Sequence, residues 1–152
     1  YDEYVFKFYD IHPATNGANL TFQSNSSGGS GYNETITSTN FNVFHLEDDA
    51  EAELRYMTAQ DQAQGTAFQS ISEDINNAND GSGSGFLHLF NPSSTTFVKH
   101  FICRTQFTHQ LDFTVEHYVA GYGNTQSSIN AIQFKFSSGN IDSGVIKLYG
   151  VS

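Results

Sequence analysis

Ile129-Asn-Ala-Ile-Gln-Phe-Lys-Phe-Ser-Ser-Gly-Asn-Ile-Asp-Ser-Gly-Val-Ile-Lys-Leu-Tyr-Gly-Val151 holds two runs with apolar residues at every second position, separated by a Ser-Ser-Gly-Asn-Ile-Asp-Ser-Gly segment. Successive side chains of a strand point to opposite faces, so this period of two predicts two amphipathic β-strands, and Gly, Asn and Ser between them predict a turn. Ile132, Phe134 and Phe136 share one face of the first run, and Ile146 and Leu148 one face of the second. Lys135, Lys147 and Tyr149 fall on the opposite faces. The stretch reads as a closing β-hairpin that needs a larger apolar surface to cover.

The remaining chain supplies that surface in the same period. Tyr4, Phe6 and Phe8 alternate up to Asp10, and His12-Pro13 to Asn16-Gly17 has turn chemistry. Leu20 and Phe22 begin a second strand, so the first two strands read as a wide hairpin. Ser24–Gly31 and Asn76–Gly85 read as flexible polar surface loops. Between them the signal weakens: Phe41, Val43 and His45 alternate briefly, and Glu47–Met57 admits a short helix, although a strand near Glu53–Ala59 suits its surroundings better, with another short strand at Phe68–Ser72. Phe86–Phe90 is a strand stopped by Asn91-Pro92, because proline cannot donate to a ladder. Phe97–Phe107 and Leu111–Tyr122 are long strands whose core faces carry Phe97, Phe101, Cys103 and Phe107, and Phe113, Val115, His117 and Val119. About eight antiparallel strands joined by polar loops predict an all-β fold, a single antiparallel β-sandwich of jelly-roll type.

Composition narrows the function classes. Of 152 residues, fourteen are Phe, eight Tyr and thirteen Gly, a profile suited to strands and turns. Sixteen acidic against six basic residues give a net charge of −10, which repels phosphate backbones, so nucleic acid is not an expected partner. No run approaches the roughly 20 apolar residues of a membrane-spanning helix, and no membrane insertion is expected. The single cysteine, Cys103, lies in an apolar run and reads as a small core residue. The chain opens on Tyr1 already near a strand, which suggests a processed product or a module of a longer polypeptide.

Few residues group in patterns that carry chemistry. His100, His109 and His117 approach one another only if the two long strands pair, with His100 opposite or diagonal to His117; no metal-binding spacing is present. Glu47, Asp48, Asp49, Glu51 and Glu53, with Asp74 and Asp80 near the second glycine-rich loop, admit structural calcium, but no stretch has the spacing of a calcium loop and a solvated acidic face explains the charges more simply. Asp112 and Glu116 share a strand face but lie about 13 Å apart, too wide for a glycosidase pair. Tyr32, Tyr118, Tyr122, Asn124 and Gln126 are the candidate ligand-binding set: aromatic faces stack on sugar rings while amides read hydroxyls. Ordinary edge packing of the tyrosines is the competing explanation.

The closing segment resembles the end of a family of tailed-phage virion structural proteins, well represented in marine cyanophages. The opening strand Tyr4–Phe8, the Pro13–Gly17 turn leading into Leu-Thr-Phe, the Ser/Gly-rich loop and Gly85–Pro92 are similar to that family as well, so the resemblance covers nearly all of the chain except Phe41–Ser72. It implies a non-enzymatic virion component with no cofactor, displayed on the particle surface as a capsid decoration or tail-fibre module and assembled in the host cytoplasm. The implied partners are other virion proteins, including further copies of the chain, a trimer among the options for a fibre. A host-surface glycan is the alternative partner. A polysaccharide hydrolase using Glu116 is the remaining expectation.

Overall fold

The computed structural model describes residues 1–152, which form ten strands and no helix. These are β1 (Glu3–Pro13), β2 (Leu20–Ser26), β3 (Ile36–Leu46), β4 (Ala52–Tyr56), β5 (Gln69–Ser70), β6 (Gly83–Phe90), β7 (Lys99–Thr108), β8 (Phe113–Gly123), β9 (Ile129–Phe136) and β10 (Ile141–Val151). They build two antiparallel sheets, one of seven strands in the order β10-β1-β6-β7-β8-β3-β4 and one of three in the order β5-β2-β9. The all-β sandwich expected from the alternation is therefore present, with ten strands in place of about eight and with a strand, β4, where a helix was the other option.

Neither expected hairpin at the chain ends forms. β9 pairs with β2 in the small sheet, while β10 pairs with β1 in the large one. Ser137–Asn140 is a corner between sheets, and Ala14–Asn19 is a second corner beside it. Ala14 N donates to Asn140 O at 3.0 Å, and Ser137 N to Asn19 O at 2.8 Å. The two ends of the chain thus make one long antiparallel ribbon, folded over so that its halves face each other. Only the first run of Ile129–Val151, as β9, turns a face toward the interior; the second, as β10, lies at the edge of the large sheet and is exposed beyond Ile141, so the expected covering role of Ile146 and Leu148 is not met.

Eighteen buried residues from both sheets form one core. Phe134 of β9 lies edge-on to Phe6 and Phe8 of β1, each with ring centroids 5.1 Å apart, and Phe22 of β2 meets Phe101 of β7 at 5.0 Å. Such edge-to-face pairs add about 0.5–1.5 kcal/mol each beyond area burial. Cys103 is in this core, as expected. Phe97 is not: it lies ahead of β7 and is 66% exposed, and Lys99 takes the buried position. The Lys99 ammonium is satisfied there by the carbonyls of Ser94 and Phe97, both at 2.7 Å, and of Thr125 at 3.3 Å.

The two expected polar loops are partly strand. β2 runs to Ser26, burying Ser24 and Ser26 against β9, and β6 begins at Gly83. The weak middle has a physical cause. Core-facing positions of β3 carry Ser38, Asn40 and Asn42, all buried, while Phe41 and Val43 face outward. These polar groups hold the irregular 57–76 segment: Ser38 Oγ donates to Gln69 Oε1 at 2.7 Å, and Gln69 Nε2 to the carbonyls of Gln60 and Ser70 at 2.9 Å. A buried backbone without regular pairing needs such partners.

Candidate functional site

The outward face of the seven-stranded sheet is aromatic and apolar. Following the strand register from edge to edge, one row reads Lys147, Lys7, Phe86, Arg104, Tyr118, Phe41 and Tyr56. Phe41 and Tyr118 stack with centroids 4.9 Å apart and planes 5° from parallel. The Arg104 guanidinium lies 5.2 Å from the Tyr118 ring and is ion-paired with Glu116. Stacking turns the Phe41 and Tyr118 rings toward each other, and the Arg104–Glu116 pair holds the guanidinium beside them.

The next rows form a groove because one residue is small. Ala120 of β8 lies between Ile102 of β7 and Thr39 of β3, and its methyl makes the floor. Phe90, His100 and Tyr122 form one side, with His100 and Tyr122 directly opposite in register and 6.0 Å between ring centroids. This groove encloses about 520 Å³. A dent of about 260 Å³ between Phe41, Phe86 and Tyr118 continues it across Ala120, and a hollow of about 500 Å³ between Phe90, Phe97 and Gln126 extends it at the other end. Apolar surface flanked by hydroxyl and amide groups can take a flat ring by stacking and orient it by hydrogen bonds.

Of the five candidate residues, Tyr118 and Tyr122 share this face, four residues apart on β8 and so about 13 Å from each other. Asn124 and Gln126 follow at the Tyr122 end. Their amides are engaged: Asn124 Nδ2 donates to Gln64 Oε1 at 3.0 Å, and Gln126 Nε2 to Thr96 O at 3.1 Å. The loop bearing Tyr32 reaches the same end, tied by Asn124 N to Thr35 O at 2.7 Å and Ser27 N to Ser128 O at 2.8 Å. The set is thus split, with Tyr118 one end of the groove and the other four toward its opposite end. Phe41, Phe86, Phe90 and Ile102 were missed. Their signal was present: Phe86-Leu-His-Leu-Phe90 is apolar on both strand faces, which a solvated outer face does not require.

The histidine grouping is not formed. His100 faces Tyr122 on the outer face, whereas His117 faces Thr105 on the inner one. Burial pushes the His117 imidazole down to about 4, so it is neutral. Asp112 is in the turn ahead of β8, not on the strand with Glu116, and accepts from Asn76 Nδ2 at 2.5 Å. Asp74 and Asp80 are also separated. Asp74 lies 3.7 Å from His109, while Asp80 shares a polar cleft of about 460 Å³ with Asp10, Asp142 and His12. No group of three His, Cys, Asp or Glu side chains is spaced to hold a metal ion.

No protein-family model matches this chain, and no curated protein or solved structure is significantly similar to it.

Proposed function

We propose that this chain is a non-enzymatic structural module of a tailed-phage virion, displayed on the particle surface as a capsid decoration or tail-fibre module and working by protein contact. The observation that carries the reading is the outward face of the large sheet. Isolated apolar residues are ordinary on a protein surface, but aromatic and apolar residues spread across a whole sheet face, with the Arg104–Glu116 pair set among them, are typical of contact surfaces. These residues include Tyr149, Phe86, Ile102, Tyr118, Phe41 and Leu54. The family resemblance of the two chain ends supports the same reading, since those ends build the ribbon that frames both sheets. Mass spectrometry and antibody labelling of purified particles test it. The chain is expected at a regular stoichiometry and at a defined position on the particle; absence from particles overturns the proposal.

The groove favours a second reading, a host-glycan site. Phe90, His100 and Tyr122 offer ring faces beside the Thr37 and Thr39 hydroxyls and the Gln126 amide. This reading predicts retention on host-surface polysaccharide that Tyr122→Ala abolishes without changing the thermal midpoint. Equal retention of both proteins, or none by either, rejects it.

A further inference from the structure

The outward face of the seven-stranded sheet differs in charge from the rest of the surface. Its register forms four rows, which cross β8 at Tyr122, Ala120, Tyr118 and Glu116. These rows hold three of the six Lys and Arg, namely Lys7, Arg104 and Lys147, but only two of the sixteen acids, Glu3 and Glu116. Glu116 is ion-paired with Arg104, and Glu3 lies against the His88 ring. A chain of net charge −10 thus keeps its excess of acid off this face. Two copies meet least repulsion when they approach through it.

A knob and a pit lie side by side near the middle of the face. Ile102 of β7 is 50% exposed. Ala120, its register partner on β8, is the floor between the Phe41–Tyr118 stack and Tyr122. β7 and β8 are also close to the centre of the sheet, with three strands beyond β7 and two beyond β8.

We propose that a second copy of this chain covers this face, related by a two-fold axis that lies between the copies and runs along the β7–β8 boundary. Ile102 then enters the pit over the partner's Ala120, and each copy both gives a knob and receives one. A two-fold contact requires this kind of self-complementarity. The same operation exchanges β7 with β8 while keeping the rows level, so it sets His100 over the partner's Tyr122 and Arg104 over the partner's Tyr118, one row from the partner's Glu116. Stacked twisted sheets keep their strands within about 30° of each other, so the register match is closest beside the axis, where these residues lie. Tyrosine and arginine at the centre of a contact are the side chains that contribute most to binding.

The area suffices for a stable dimer. The strands β1, β6, β7, β8, β3 and β4 overlap those of the partner. With strands about 4.8 Å and rows about 7 Å apart, the footprint is roughly 800 Å² per copy, the size of a standard specific interface, about 800 Å² per partner. The acids of the β3–β4 turn, and Asp10, lie beyond the last row, at corners brought level with each other by the axis. Their repulsion acts through solvent, where salt screens it. The dimer rests on the reading of this face as a contact surface and names its partner. Because the pit belongs to the groove, a bound copy and a bound glycan exclude each other.

Sedimentation of the purified chain tests it, with Ile102→Ala, Ala120→Ile and the double variant carrying both. The natural chain is expected to form dimers, at least as tightly at roughly 0.5 M ionic strength as at roughly 0.05 M. Each single variant removes the knob or fills the pit and is expected to dimerise about tenfold more weakly. The double variant exchanges knob and pit, and is expected to recover the natural affinity to within about threefold. Circular dichroism and a thermal midpoint show that each is folded. Should one fail to fold, Thr39→Glu, in the same row on β3, replaces it and is expected to abolish dimerisation. Natural chain that stays monomeric at its highest soluble concentration, tenfold weakening by salt, single variants or Thr39→Glu associating as well as the natural chain, or a double variant no better than the singles overturns the proposal. Dimers in solution with the chain absent from particles would remove the virion reading alone, whereas a chain present on particles and monomeric in solution would remove the dimer alone.

Discussion

Ser38 of β3 and Gln69 of β5 join their buried side chains through a 2.7 Å hydrogen bond, although their strands belong to different sheets. The same glutamine amide holds the carbonyls of Gln60 and Ser70, and its Oε1 also accepts from Gln62 Nε2 at 3.4 Å. One buried side chain therefore satisfies polar groups from three segments. Gln69→Ala leaves several of them unpaired at once, and each buried unpaired group costs about 1–3 kcal/mol. The expected loss is roughly 3 kcal/mol in a urea unfolding titration. A loss under about 0.5 kcal/mol, the range of an ordinary surface change, would show that the network contributes nothing.

His117 predicts acid sensitivity. It is fully buried between Thr105 and Asn42, and neither ring nitrogen has a hydrogen-bond partner. Burial holds its pKa at about 4, below the ordinary 6.5. Above the ordinary value both folded and unfolded chains carry a neutral imidazole, and stability is unaffected. Between the two values the unfolded chain takes up the proton and the folded one does not, so stability falls as pH drops through that window, by about 3 kcal/mol at its lower end. His109, lowered mainly by burial, contributes in the same direction. Unfolding titrations from about pH 7 to about pH 4 should show this decline, and His117→Leu should flatten it. An unchanged slope in the variant would assign the sensitivity elsewhere.

Cys103 predicts chemical silence. Its thiol is enclosed in the core and pushed far above the usual thiol range by burial, so the reactive thiolate is absent at neutral pH. Iodoacetamide should leave the folded chain unmodified and label it only as urea unfolds it, with the labelling curve following the unfolding curve. Labelling at the rate of a free thiol in native buffer would contradict the packing of β6, β7 and β8.

What the sequence made legible was strand existence, and what it concealed was strand partnership. Phe6, Phe8, Leu20, Phe22 and Phe101 could be read as core from parity alone, because burial on one face imposes period two. Parity says nothing about which layer a strand joins. Ser137–Asn140 looks like a hairpin turn, and it works as a corner because Ala14 and Asn19 bond its backbone from the other end of the chain. In β3 the rule fails in the opposite sense, since Asn40 and Asn42 are buried and Phe41 and Val43 exposed. Burial there is driven by backbone groups needing partners, a demand that leaves no hydropathy pattern. The groove was half legible: Tyr118 and Tyr122 were found as tyrosines on one strand, but Phe41, Phe86 and Phe90 beside them were read only as strand residues, with no face assigned.

Gly144 gives the final prediction, in the stretch that closes the chain. The β1–β10 ladder breaks between Tyr9 and His12, where Asp10 has φ 50° and Gly144 φ 117°. Two residues of β1 oppose one of β10 there, the arrangement of a β-bulge, and it bends the ribbon on its way to the corner. At φ 117° any side chain is strained, and a Cβ on Gly144 would lie 2.7 Å from Asp10 O and 2.8 Å from Ile11 Cα. Those are backbone atoms of the neighbouring strand, which cannot turn aside as a side-chain tip can. Gly144→Ala should therefore cost about 2–4 kcal/mol by urea unfolding and raise hydrogen exchange at the β10 amides, while Ser143→Ala next to it stays within about 0.5 kcal/mol. If the two substitutions cost the same, the bulge is tolerant of side chains, and β10 is bound to β1 less closely than the register requires.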